Sequence, residues 1–304
     1  MLRRTLLAAS RSPALRTAVV TAPVTRRVVR RFVAGDGSVQ ALEAASRLLA
    51  DGLLVSLDRL GEDVRDRAGA EATVRAYEKL LPELSELPGG VEVSVKLTAL
   101  GQALDEDLAL ANARRVCAAA ARAGTTVTLD MEDHTTVGST LHVLDALRGE
   151  YPWVGAVVQA QLRRAEEYCA ALAYEGSRVR LCKGAYDPPP EAAFTTRSEV
   201  DKSYVRCLRA LMAGSGYPMV ATHDPRLIEI ADALRLIHGR GSDSFEYQML
   251  YGIRPDEQLR LAETGARVRV YVPYGSEWYG YLVRRLAERP ANLAFFLRAL
   301  LTRS

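Results

Sequence analysis

The 304-residue chain has only four cysteines, four histidines and two tryptophans, and no apolar run that approaches 18 residues. Without such a run no segment reads as a membrane-crossing helix, and none as a secretory signal. Cys117, Cys169, Cys182 and Cys207 are scattered and contain no C-x-x-C pair. That pattern argues against a disulfide framework and suits a reducing compartment. His134, His142, His223 and His238 show no metal-ligand spacing either. The longest segment without an acidic residue is the first: residues 1–35 hold eight arginines and no Asp or Glu. The overall charge is +3, so the other residues together carry about −5. Neither value argues for nucleic acid or a membrane surface as the main partner. No G-x-G-x-x-G follows the first β-rich run, which weakens a dinucleotide-binding doubly wound sheet.

The hydrophobic content of 48% and charged content of 25% are those of a globular protein. Eight short β-rich runs recur: 52–58, 91–97, 125–131, 154–160, 178–183, 217–223, 243–250 and 266–272. Between them lie segments apolar at helical period, such as "DLALANARRVCAAAARAG" and "RAEEYCAALAYEG", closed by Gly124 and Gly176. Eight strand–helix repeats predict an α/β fold, a (β/α)8 barrel over residues 36–304. Residues 1–35 read as a basic helical arm interrupted by Pro13 and Pro23, with a transit peptide as the alternative.

In such a barrel, active groups sit at the C-terminal strand ends and strand interiors are expected to be apolar. Polar groups fall at the ends of seven runs: Lys96; Asp130, Glu132 and Asp133; Gln159 and Gln161; Lys183; Thr222 and His223; Glu246 and Gln248; Tyr271. Converging on one pocket, they mark a site without naming its chemistry. Asp130 and Glu132 lack an obvious facing carboxylate for a glycosidase. Lys96 or Lys183 could serve a Schiff-base aldolase, which needs a lysine of lowered pKa. In "LCKGAY" a glycine directly after a strand lets a ligand approach the backbone, and Lys183 supplies charge beside it. Near the C-terminus, Tyr281, Arg284, Arg285 and Glu288 share one helix side. They form either a solvated face with an Arg284–Glu288 pair or a clamp for an anion.

Seven blocks in order resemble the proline dehydrogenase family: "VSVKLTALG", "LDMED", "VVQAQLRR", "RLCKGAYDPP", "VATHD", "FEYQMLYGI" and "VRVYVPYG…YLVRRLAERPANLAFF". The resemblance covers roughly residues 32–300, and "RLxKGAY" with "YxxRRxxE" is its most specific part. It implies a distorted (β/α)8 barrel with non-covalent FAD, oxidising L-proline to Δ1-pyrroline-5-carboxylate by hydride transfer to flavin N5. Electrons then pass to a membrane quinone. The fit is to the stand-alone enzyme, since 304 residues leave no room for the aldehyde dehydrogenase module of bifunctional relatives. A cytoplasmic protein, peripheral to the inner membrane face, is the matching expectation. The basic arm or the tail "ANLAFFLRALL" would supply the contact.

By the same resemblance, Arg284, Arg285 and Lys96 hold the substrate carboxylate, and Tyr271, Tyr281 and Leu181 pack its ring. Flavin contacts carry over to Met131, Gln159, Arg180, Lys183, Gly184, Ala185, Thr222 and His223. Arg180 and Lys183 are expected to reach the N1–C2=O end of the ring system. Asp130 orients the cations, and Glu246 and Gln248 meet the adenylate part. Glu62 gates the site by pairing with Arg284. Cys182 and Asp224 depart from the family's usual valine and asparagine. A non-redox aldolase, and a sensor that binds proline or flavin without turnover, are the competing readings.

Overall fold

The computed structural model describes residues 29–288. The first 28 residues and the tail from 289 onward lie outside it, so most of the expected arm and the apolar C-terminal segment do too. Eight parallel strands are present, close to the runs read from the sequence. They are β1 (Leu54–Arg59), β2 (Val91–Lys96), β3 (Val127–Asp130), β4 (Ala156–Gln159), β5 (Arg178–Cys182), β6 (Tyr217–Ala221), β7 (Glu246–Leu250) and β8 (Val268–Tyr274). The ladder runs β3-β2-β1-β8-β7-β6-β5-β4. Its two ends meet where Leu129 N–H donates to Gly155 O and Gly155 N–H to Val127 O, at 2.9 and 2.8 Å. A side chain at Gly155 would lie 2.6 Å from Thr128 Oγ1, so glycine is what lets the seam close. The fold is thus a nearly closed (β/α)8 barrel.

Among the described residues the helices are α1 (Ser38–Ala50), α2 (Arg67–Leu84), α3 (Glu106–Arg122), α4 (Val137–Arg148), α5 (Ala165–Leu172), α6 (Arg197–Ala213), α7 (Pro225–Ile237), α8 (Pro255–Glu263) and α9 (Trp278–Glu288). Their starts follow local chemistry. Asp66 accepts Gly69 N–H at 2.7 Å to cap α2. Thr196 and Glu199 form a capping box on α6, and Asp224 with Pro225 opens α7. Outward strand residues such as Val55, Leu57, Val93, Val95, Leu129, Val179, Val270 and Val272 are buried under this helical ring. Residues 29–35 pack elsewhere: Val29, Phe32 and Val33 join Leu60, Trp278, Tyr279, Tyr281, Leu282 and Val283 in a second apolar cluster over α9.

The expectation of apolar strand interiors is overturned. Successive strand residues point to opposite faces, and here the inward set, apart from apolar residues such as Val157 and Met219 level with Arg180, is polar: Ser56, Asp58, Glu92, Ser94, Lys96, Asp130, Arg178, Arg180, Glu246, Gln248, Arg269 and Tyr271. Glu92 accepts from Arg178 at 2.7 Å, from Arg180 at 3.2 Å and from Ser56 at 2.9 Å. Arg269 pairs with Glu246 at 2.7 Å, and Gln248 donates to Glu246 at 2.6 Å. Charges this deep persist because opposite charges and hydrogen bonds meet one another. Burial opposes the Glu92 charge, but Arg178, Arg269 and Arg180 outweigh it and hold the carboxyl far below its ordinary 4.5.

A depressed folded-state pKa contributes stability that is present above the unfolded value and lost as pH falls toward the folded one. Glu92→Gln should therefore lower stability at neutral pH by about 3–5 kcal/mol, the cost of breaking a buried charge network. The gap to the parent should narrow as pH drops below 4.5. Denaturant unfolding at neutral and acid pH checks this, and a gap independent of pH would contradict it.

Candidate active site

At the C-terminal mouth of the barrel the inward residues form one connected set. Lys96 Nζ donates to Asp58 Oδ1 at 2.7 Å and to Asp130 Oδ2 at 3.4 Å. Asp130 also accepts from Arg180 at 2.7 Å, from Tyr271 OH at 2.8 Å and from Ser94 at 2.8 Å. The register places Lys96 beside Asp130 and Ser56 beside Tyr271, so four strands converge here. Burial opposes both charges. For Lys96, Asp58, Tyr271 and Asp130 outweigh it and raise the ammonium well above its ordinary range. For Asp130, Lys96 and Arg180 do the same in the opposite direction. Lys96 is thus a fixed cation. A Schiff-base lysine must shed its proton, so the geometry opposes that role for Lys96.

Above this floor stands α9. A cavity of about 490 Å³ is lined by Lys96, Glu62, Arg284, Tyr281 and Tyr279, among others. Arg284 donates to both Glu62 oxygens, at 2.6 and 3.1 Å, and its guanidinium lies over the Tyr186 ring at 5.7 Å. Burial opposes the Glu62 charge, yet Arg284 holds its carboxyl below the ordinary 4.5. Arg285 lies 5.1 Å over the ring of Tyr281. The side chain of Glu288 lies outside the described residues, so the Arg284–Glu288 pairing does too. Lys96, Asp130, Tyr271, Glu62, Arg284 and Tyr281 are therefore brought together.

Other residues fall elsewhere. Leu181 is fully buried in the outer core on the face of β5 opposite Arg180, and its carbonyl accepts Tyr204 OH. That placement removes it from a ring-packing set. Glu246 and Gln248 lie inside the barrel, bonded to Arg269 and Arg180, and not where an adenylate could reach them. Arg180 is 5% exposed and spends its N–H groups on Gln248, Ser94, Asp130, Ser56 and Glu92. It is a pillar of the interior and offers no donor to a flavin in this arrangement.

The remaining flavin positions ring the opposite rim. Gln159 Nε2 donates to the carbonyls of Met131 and Glu132, at 2.9 and 2.7 Å. His223 Nε2 accepts Leu250 N–H at 2.8 Å, and Thr222 Oγ1 accepts Asp224 N–H at 3.1 Å. Lys183 donates to Asp201 and, at 3.3 Å, to Asp224, and Ala185 is half-buried nearby. Gly184 has φ +106°, and a side chain there would overlap Gln161 at 2.3 Å. Beside this rim a groove of about 960 Å³ between α6 and α7 is lined by Arg197, Lys202, Arg206 and Arg226 together with Asp201 and Asp224, which pair with Arg197 and Arg226. Its cations outnumber its carboxylates, which suits a diphosphate.

Two residues were missed from the sequence. Asp58 ends the only β-rich run to which no polar end was assigned, although that run closes on it. Tyr186 closes the quoted "LCKGAY", and only its stacking on Arg284 distinguishes it.

A family model described as proline dehydrogenase matches residues 41–298. The chain is 41% identical over 279 residues to proline dehydrogenase of Deinococcus radiodurans, covering 90% of each. It is 38% identical over 301 residues to proline dehydrogenase 1 of Bacillus subtilis strain 168, covering 99% of each. Among solved structures, proline utilization A of Bdellovibrio bacteriovorus superposes with a TM-score of 0.79 at 25% identity. That match covers 86% of this chain and 32% of the other. Sequence, barrel and mouth agree: the chain belongs to the proline dehydrogenase family, whose members of known name catalyse the first step of proline catabolism.

Proposed function

We propose that this chain oxidises L-proline to Δ1-pyrroline-5-carboxylate with non-covalently bound FAD, and that the electrons leave to a membrane quinone. The observation that carries the reading is the meeting of Lys96, Arg284 and Tyr281 around one cavity at the barrel mouth. Two cations on different elements suit the carboxylate of a small amino acid, and the tyrosine suits its ring. Arg285, the next residue on the same helix, would add a second guanidinium for the carboxylate.

The residues present fit a flavin nucleotide. Gly184, packed on Gln161 with no room for a side chain, keeps the backbone itself at the rim, and the groove beside it, whose cations outnumber its carboxylates, suits the diphosphate. Met131, Gln159, Lys183, Gly184, Ala185, Thr222 and His223 would hold it, with Arg180 acting through Asp130 and Gln248. FAD supplies the hydride acceptor when bound.

The protein's own part is electrostatic. Asp58 and Asp130 keep Lys96 charged and fixed in place. The cations around the bound substrate favour loss of the amine proton, which leaves the nitrogen lone pair free to assist hydride departure from the neighbouring carbon. Tyr271 stays a hydroxyl donor to Asp130, its own ionisation pushed far up by burial and by that carboxylate. The Glu62–Arg284 pair closes the cavity from the α9 side and separates the reacting atoms from water.

Purified protein supplied with FAD and an artificial electron acceptor should convert L-proline to a product trapped by o-aminobenzaldehyde. No product from proline under these conditions would refute the reading. Lys96→Met should lower kcat/KM for proline roughly 30- to 900-fold, about 2–4 kcal/mol of lost transition-state binding. An unchanged kcat/KM would remove Lys96 from the site. Gly184→Ala should weaken FAD retention through gel filtration and, because of φ +106° and the overlap with Gln161, also lower the thermal transition of the apo form. Full retention would place the cofactor elsewhere.

A further inference from the structure

The loop that carries Glu62 joins β1 to α2, and its attachment involves a buried carboxylate with no part in the chemistry above. Asp63 N–H donates to Thr98 Oγ1 at 3.1 Å, and Val64 N–H to Thr98 O at 3.2 Å. Thr98 lies in the 3-10 turn Leu97–Leu100, directly after Lys96. It is in turn held by Glu132: its N–H donates to Glu132 Oε1 at 3.1 Å and its hydroxyl to Glu132 Oε2 at 2.5 Å. The backbone carbonyl of Glu132 accepts from Gln159. Both Thr98 and Glu132 are buried, at 4% and 5% exposure. Asp63 sits at φ +56°, a left-handed conformation that is uncommon for residues with a side chain, although Asp adopts it more readily than most. The bond to Thr98 falls on that residue, next to Glu62.

We infer that Thr98 and Glu132 are positioning residues for the gate. They hold the 60–66 loop in the conformation that presents Glu62 to Arg284, and they do so from the strand ends that also carry Lys96 and Asp130. The threonine hydroxyl is the hinge point, since it donates to Glu132 and accepts from Asp63 at once. A valine of the same shape removes both bonds; a serine keeps both. The orientation of the gate is thereby tied to the floor of the site. Glu132 faces Lys96 and Glu62 as its charged neighbours, and Tyr186 as a titratable one. The inference rests on the gate role assigned to Glu62 and on the proposed oxidation of proline.

The test uses the FAD-loaded full chain. Thr98→Val should raise the KM for L-proline about tenfold with kcat within about twofold, whereas Thr98→Ser should stay within about twofold in both. Thr98→Val should also speed tryptic cleavage after Arg65, an exposed residue of the loop, about fivefold at equal global stability. In a Glu62→Gln background the valine should add less than about a twofold further rise in KM, because residues acting as one unit are not additive. A KM unchanged by Thr98→Val, or a full tenfold effect persisting without Glu62, would overturn the inference. If Thr98→Val fails to fold, Glu132→Gln carries the same three readouts. No proline oxidation by the parent protein would instead refute the function, and the tryptic readout would still judge the loop.

Discussion

The ion pair between Arg180 and Asp130 is the interaction on which the rest of the site depends. Arg180 fills the middle of the barrel, and Asp130 joins it to the mouth through Lys96 and Tyr271. Below it, Glu92 draws Arg178 and Arg180 together. A buried charge left alone costs several kcal/mol, so each member of this set constrains its neighbours. The barrel's interior is therefore a supporting column for a cation at the mouth. An apolar core would pack the same strands but would leave Lys96 free to lose its proton or its orientation.

Around that column the sequence separates its tasks by strand face. Odd-numbered positions of β1, β2 and β3, such as Leu57, Val95 and Leu129, bury apolar side chains against the helices. Even-numbered ones such as Ser56, Asp58, Glu92, Ser94, Lys96 and Asp130 carry polar groups. The cavity at the mouth is completed by pieces from outside the barrel wall: Glu62 from a loop, and Arg284 and Tyr281 from α9. In the proposed function, this division would let the wall supply rigidity and the loop and helix supply closure.

Much of this was legible in the chain. Eight β-rich runs separated by helical periods pointed to the barrel, because each run is short, most carry β-branched residues, and helical patterns lie between them. The polar strand ends located the mouth, and the paired arginines of "YLVRRLAE" marked the helix above it. The polar interior was equally written there, as the alternation in "VEVSVK", "RVRLC" and "VRVYV", but an expected apolar filling hid it. Leu181 was misplaced because its neighbour Arg180 points inward, and alternation then sends it outward. Asp58 was missed although it ends the first run. The tie between Thr98 and Glu132 could not be read, since 34 residues separate them and nothing in their spacing links a strand end to a loop.

The measurement that tests the account most directly is an absorbance spectrum of the FAD-loaded protein, recorded before and after anaerobic addition of L-proline. The account predicts flavin bands that bleach with L-proline and persist with D-proline. Bands that L-proline leaves unchanged, or a protein that takes up no flavin, would contradict it.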